Sequence, residues 1–206
     1  MADDDGDSDA YTTVAGEGVF SFETRGSEFV GYVARATGDD EADTFVEEVR
    51  DEHPDATHHV YAYRVGADDA PLRERHDDDG EPSGSAGKPV LNVLQGEGVE
   101  NVVAVVVRYY GGTKLGYGGL VRSYSEATKG ALGDAGTTRT VPKETVRVEV
   151  GYDDSGTVRG IIESEGYDFD AEYGGSVVFV VRPPREHADE LRDRILSATS
   201  GRARLE

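Results

Sequence analysis

The sequence predicts an α+β protein of two domains, and three stretches predict it. Val102 to Val107 reads V-V-A-V-V-V, an almost unbroken β-branched run of the kind found in strands buried on both faces. Upstream, residues 29–65 space out as strand, helix and strand. After Val141-Pro142 the pattern restarts and gives a second, smaller unit. The expected organisation is an acidic flexible tail over residues 1–13, a first domain over 14–138 and a second over 145–206.

Taken in order, residues 1–10 are acidic and small, too poor in apolar groups to repay ordering. Phe29 to Ala36 reads as a strand. Asp39 to His53 comes next as a helix with Ala42, Phe45, Val46 and Val49 on one face, acidic residues in its first turn and Pro54 beyond its end. His58 to Val65 alternates as a strand. Gly66 to Lys88 is the longest gap in periodicity, and a structureless loop of about twenty residues is expected to be functional or disordered. Pro89 suits the first turn of a helix with Val90, Leu91 and Leu94 inward, ended by Gly96 and Gly98.

The Val102–Val107 strand runs into Arg108, Tyr109 and Tyr110, then a loop with glycines at 111, 112, 116, 118 and 119. From Leu120 the apolar spacing is helical through Val121, Tyr124, Ala127, Thr128, Ala131 and Leu132. In the second unit Thr145–Val150 and Tyr167–Tyr173 read as strands flanking a helix over Asp153–Glu165. Gly174-Gly175 turns into a strand over Ser176–Val181, and Pro183-Pro184 opens a last helix with Ala188, Leu191, Ile195 and Leu196 inward. That order resembles a ferredoxin-like domain.

The 206-residue chain carries 42 acidic against 21 basic residues, a formal charge of −21, with no cysteine. Disulfides and thiolate metal sites are therefore excluded, and a reducing cytosol is the natural setting. The N-terminus lacks the regions of a signal peptide, and no apolar run approaches the roughly 20 residues that cross a bilayer. Lys88, Lys114, Lys129 and Lys143 are the only lysines. An acidic, lysine-poor surface points to adaptation to molar salt, where screening falls to about 3 Å and self-repulsion costs little. The stretch Arg108–Arg147 departs from that acidity, with seven basic residues against Glu126, Asp134 and Glu144.

Familiar motifs fail residue by residue. A phosphate-binding loop ending at Gly87-Lys88 would need glycine at 82 and serine or threonine at 89, where Pro82 and Pro89 stand. A dinucleotide fingerprint from Gly116 and Gly118 would need glycine or alanine at 121, where Val121 stands. A calcium loop with its glycine at Gly80 would start at Arg75, which cannot ligate the ion. His58 and His59 are adjacent on a strand and face opposite ways, so no metal site is expected. Ser83, Ser85 and Ser123 lack a motif-spaced base.

What remains is the glycine loop. A tight strand-to-helix turn does not need cations, yet Arg108, Lys114 and Arg122 flank this one. Strand, glycine loop and helix start aim unpaired N–H groups and a positive dipole end at an anion. The candidate phosphate- or nucleic-acid-binding residues are Arg108, Tyr109, Tyr110, Gly111, Gly112, Lys114, Gly116, Gly118, Gly119 and Arg122. Tyr109 and Tyr110 point to opposite sides if the strand continues, so one is core and the other a stacking platform. A second candidate loop carries Asp79, Glu81, Ser83 and Lys88, whose plain reading is a solvated acidic loop.

The run from Gly87 to Gly116 resembles the signature of the IMPACT family. Gly87, Val90-Leu91, Leu94, Val99, Val105-Val106, R-Y-Y-G-G at 108–112, Leu115 and Gly116 fall at its spacing. So does D-G-E-P-S-G-S-A-G-K-P from Asp79, with Ser85 where threonine is expected. The likeness covers roughly residues 16–136, and Thr145–Glu206 is similar to the smaller C-terminal domain of prokaryotic members. The resemblance implies an N-terminal domain of ribosomal-protein, translation-factor type, with a mixed sheet and helices on one face. It also implies a C-terminal domain like one in elongation factor G. Eukaryotic relatives regulate translation initiation under amino-acid starvation through an added RWD domain; only the acidic tail precedes the family domain here, so that partner contact is not carried over.

The resulting expectation is a cytoplasmic protein that binds RNA or a ribosomal surface and modulates translation, with no cofactor and no membrane partner. The rival expectation is an enzyme acting on a small phosphorylated or nucleotide substrate, with Asp79 or Glu81 as base or cation ligand. An enzyme needs both carboxylates to converge with the glycine loop in one pocket, whereas a binding module needs an open basic face. A third is an adaptor whose basic island meets an acidic protein of the translation apparatus.

Overall fold

The computed structural model describes residues 10–66 and 71–206, which form two compact units dividing after Thr140. In the first unit the chain runs β1 (Tyr11–Val14), β2 (Gly18–Thr24), β3 (Ser27–Arg35), α1 (Asp39–Glu52), β4 (His58–Val65), β5 (Arg73–Asp77), α2 (Gly87–Gly96), β6 (Val102–Tyr109), α3 (Tyr117–Ala135) and β7 (Thr137–Thr140). Five strands make one sheet in the order β2-β3-β6-β4-β5, and β1 pairs with β7 in a separate ribbon.

β6 is central, and its valine run explains why. Val102, Ala104 and Val106 face a core completed by Val90, Leu94, Leu120 and Tyr124 of α2 and α3. Val103, Val105 and Val107 face the other way, onto Ala42, Val46 and Val49 of α1. Both sets are fully buried, so no position on this strand is left for a polar residue until Arg108.

The α+β class holds, but two details expected of the first sheet do not. Every ladder within it is antiparallel rather than mixed. The helices also cover both faces. β3 and β4 run parallel with β6 between them, as β5 and β6 do with β4 between them. With α1 and α2 on opposite faces, these interlocked crossovers have opposite hands, so one departs from the usual right-handed rule.

The acidic tail expected over residues 1–13 is shorter at its C-terminal end, because Tyr11–Val14 pair with Thr137–Thr140; residues 1–9 lie outside the described residues. The expected long loop is also interrupted. Arg73–Asp77 is an edge strand beside β4, though residues 67–70 of that stretch are outside the description. Asp78 then organises the loop that leads into α2. Its carboxylate accepts from the amides of Gly84 at 2.7 Å, Ala86 at 3.1 Å and Gly87 at 2.8 Å. Charge-assisted bonds of this kind contribute about 1.5–3 kcal/mol each. Asp78→Ala is therefore expected to loosen residues 79–87, read as faster amide exchange there, while Asp78→Asn retains an acceptor and most of the protection.

The second unit is β8 (Val146–Val150), α4 (Tyr152–Glu165), β9 (Phe169–Tyr173), β10 (Val177–Val181), α5 (Arg185–Ala198) and β11 (Arg204–Leu205). Its antiparallel sheet runs β11-β8-β10-β9, and the two-residue β11 supplies the sixth element of a ferredoxin-like fold. Val148, Phe179, Ile162 and Ile195 close its separate core. Arg202 clamps Asp154 of α4 with bonds of 2.9 and 2.7 Å, which hold that carboxyl below its ordinary range.

Candidate functional site

Strand parity turns Arg108 towards the α2/α3 face, where it is only 4% exposed. A buried guanidinium needs a partner, and Glu81 provides it: Nη1 lies 2.5 Å from Oε1. The same oxygen accepts from the Tyr124 hydroxyl at 2.7 Å, and Ser27 Oγ lies 3.4 Å from Nη2. Burial, then the Glu81 carboxylate beside it, push the Tyr124 phenol far above its ordinary pKa, so it stays a donor. The guanidinium sits between the Phe29 and Tyr110 rings, 5.3 Å from each centroid. Its Nε is buried without a partner.

The glycines after β6 have distinct tasks. The amides of Tyr110 and Gly111 are engaged internally, by Thr57 Oγ1 at 3.0 Å and Ser27 Oγ at 3.1 Å. Gly111 packs against the Gly26 carbonyl so closely that a Cβ has no room. Gly112 and Gly116 take positive φ, 83° and 72°. α3 then begins at Tyr117 with no side-chain cap, and its first backbone bond runs from Leu120 N to Gly116 O. The N–H groups of Tyr117, Gly118 and Gly119 thus point out of the helix end without an intrahelical acceptor.

That helix end opens on a cleft of about 400 Å³. Tyr110, Lys114, Leu115, Gly116, Tyr117 and Leu120 line it, together with Glu81 and Pro82 of the second loop and with Thr57, His58 and Arg108. Tyr110 and Tyr117 are 45% and 60% exposed. The Tyr117 hydroxyl donates to Gly84 O at 3.1 Å and ties the glycine loop to the second loop. His58 Nδ1 donates to Asp79 O at 2.7 Å, leaving Nε2 3.9 Å from Glu81.

Of the residues singled out from sequence, Arg108, Tyr110, Lys114, Gly116 and Glu81 meet in this cleft. Tyr109 does not. It faces the α1 side, where its hydroxyl meets His53 Nδ1 at 2.7 Å and His53 Nε2 meets Tyr32 at 2.6 Å. Asp79 also turns away, accepting from the His59 amide at 2.6 Å and lying 3.5 Å from Arg50. Ser83 and Lys88 are exposed outside the cleft, and Arg122 lies on the outer face of α3. Arg108 is no free phosphate ligand, because a carboxylate already neutralises it. Thr57, His58, Tyr117 and Leu120 were not anticipated. Of these Tyr117 had a signal, an aromatic set among the glycines of G-Y-G-G.

Comparison with known proteins gives these residues a setting. The Impact N-terminal domain model matches residues 25–132, which contain the whole cleft. The chain belongs to the IMPACT family. A second model, a domain of unknown function numbered 1949, matches residues 148–202 of the other unit. The chain is similar to IMPACT family member YigZ of Escherichia coli, 36% identical over 184 residues, covering 89% of this chain and 90% of that one. Human Protein IMPACT is 42% identical over 62 residues, 30% of this chain and 19% of that one. A solved structure described as a hypothetical protein superposes with a TM-score of 0.72 at 34% identity, covering 96% of each chain. The match in that solved structure therefore spans both units.

Proposed function

We propose that this protein acts in translation by binding RNA, free or on the ribosome, and that the cleft beside α3 takes one unpaired nucleotide. Lys114 and the free amide of Tyr117 at the start of α3 hold its phosphate, and Tyr110 and Tyr117 supply faces for its base. The supporting observation is the uncapped helix start opening between two exposed tyrosines and a lysine that makes no ion pair with any described residue. Family membership supports the translational context that the resemblance implies. A cytoplasmic setting is part of this proposal. Among the described residues no helix is long and apolar enough to cross a membrane.

The enzyme reading draws on Glu81, which does reach the cleft. Its Oε1 is engaged by Arg108 and Tyr124, however, and Asp79 is held elsewhere, so neither is a free base. An inert receptor fits these carboxylates better than general-base chemistry.

Lys114→Ala combined with Tyr117→Ala tests the reading. Loss of one stacked base and one phosphate contact weakens binding by about 1–3 kcal/mol, roughly fivefold to 150-fold. Fluorescence anisotropy with single-stranded RNA and ribosome co-sedimentation, both at the protein's working salt, measure it. Binding equal to the unmodified protein in both assays removes the proposal.

A further inference from the structure

The first unit pairs most of its arginines. Arg50 meets Glu47 and Asp79, Arg64 meets Glu74, Arg73 meets Asp39, Arg75 meets Asp43, and Arg108 meets Glu81. The side chains of Arg25, Lys88, Lys114, Arg122 and Lys129 form no ion pair or hydrogen bond with a described residue, and the last three of these stand on α3 or just before it. On a chain of net charge −21, with carboxylates abundant, two unpaired cations on one helix and a third just before its start need an explanation.

Their placement gives one. Lys114 stands at the mouth of the cleft, just before α3. Arg122 and Lys129 are seven residues apart on that helix, about two turns or 10 Å, and so share a face. Both border a shallow groove of about 600 Å³ that also contains Phe20, Val121 and Glu126. Gly130 lines it too, and a Cβ there would strike the Phe20 ring, so the glycine lets the ring lie against the helix. Glu126 makes no ion pair with either cation and leaves the groove with a net positive charge. Asp134, further along, is engaged by the Val19 amide at 2.9 Å.

We infer that an RNA strand continues from the cleft along the exposed face of α3, its phosphates meeting Arg122 and Lys129 and a second base lying in the groove against Phe20. This rests on the nucleotide reading of the cleft and adds the class of RNA. Two separated depressions, each with an aromatic face and flanking cations, accept bases that are already unstacked. A duplex offers none, so the ligand is a single strand several nucleotides long.

The test uses the full chain and uridine 5′-monophosphate, oligouridylates of increasing length up to about ten nucleotides, and a blunt RNA duplex. The unmodified protein is expected to bind the oligomers progressively more tightly and the duplex least. Arg122→Ala with Lys129→Ala, both at exposed positions, should leave mononucleotide affinity unchanged. It should lower affinity for the longest oligomer at least tenfold, and reduce the slope of log affinity against log salt by about 1.4. Arg122→Lys with Lys129→Arg should restore most of the loss. If the alanine pair binds the longest oligomer as tightly as the unmodified protein, or if duplex is preferred, the track along α3 is overturned while the cleft stands. If length dependence persists but Lys114→Ala leaves mononucleotide binding intact, the cleft reading falls instead.

Discussion

Arg108→Met is expected to destabilise the N-terminal unit by about 3–5 kcal/mol, the largest single effect in the chain. The cost comes from what remains. Glu81, whose carboxylate is only 4% exposed, loses the guanidinium that neutralises it and keeps one hydrogen bond, from Tyr124. Methionine also gives up the contacts of a cation held between Phe29 and Tyr110. Adding Glu81→Gln removes the stranded charge while keeping an acceptor for the Tyr124 hydroxyl, so the double variant should regain a substantial part of the loss. Denaturant midpoints of the two single variants and the pair measure the coupling. A single variant no less stable than the unmodified protein would show that the pair does not hold this face together.

Gly111→Ala is the second. A Cβ at this position would overlap the carbonyl oxygen and carbon of Gly26 and stand 2.6 Å from Ser27 N, all of them backbone atoms. Flexible side chains can step aside, but here either the β2–β3 turn or the glycine loop must move. Overpacking of this kind costs about 1–3 kcal/mol or more. It should also pull Gly111 N from Ser27 Oγ and displace the cleft wall, so weaker RNA binding accompanies the lower midpoint. Gly133→Ala is the matched control. It lies within α3 with nothing near its missing Cβ, and alanine there should stabilise by about 0.5–1 kcal/mol. Equal midpoints for the two variants would contradict the packing argument.

An element is legible in the sequence when it leaves a periodic or compositional trace. The β6 valines announced a doubly covered strand because each of its two faces meets a helix. Strand parity correctly separated Tyr109 from Tyr110. β5 left no trace, since all five residues of R-E-R-H-D are exposed on a sheet edge, where charge is favoured and alternation is not required. β11 is too short to have a pattern. Periodicity also tells which residues face a sheet but not which side a connection passes, so nothing in the pattern spoke against the one-face arrangement that the resemblance implied.

At the site, glycines and cations marked the loop, and composition alone could do so. The partner of Arg108 stands 27 residues away in the chain, on a loop whose acidic letters looked solvated. Only the fold brings Glu81 under α3, and only then does an expected phosphate contact become a neutralised strut. Asp78 was hidden for the same reason: one carboxylate among three consecutive aspartates carries the loop's amides.

The strand order also governs how the chain comes together. β3 and β4 are neighbours in sequence but not in the sheet, because β6 lies between them and bonds to both. During synthesis the keystone of the first unit therefore emerges after the strands it joins, and those strands must wait with apolar faces uncovered until Tyr109 has cleared the exit tunnel. Closing this sheet therefore requires long-range pairing, which topology makes slower than hairpin-by-hairpin assembly.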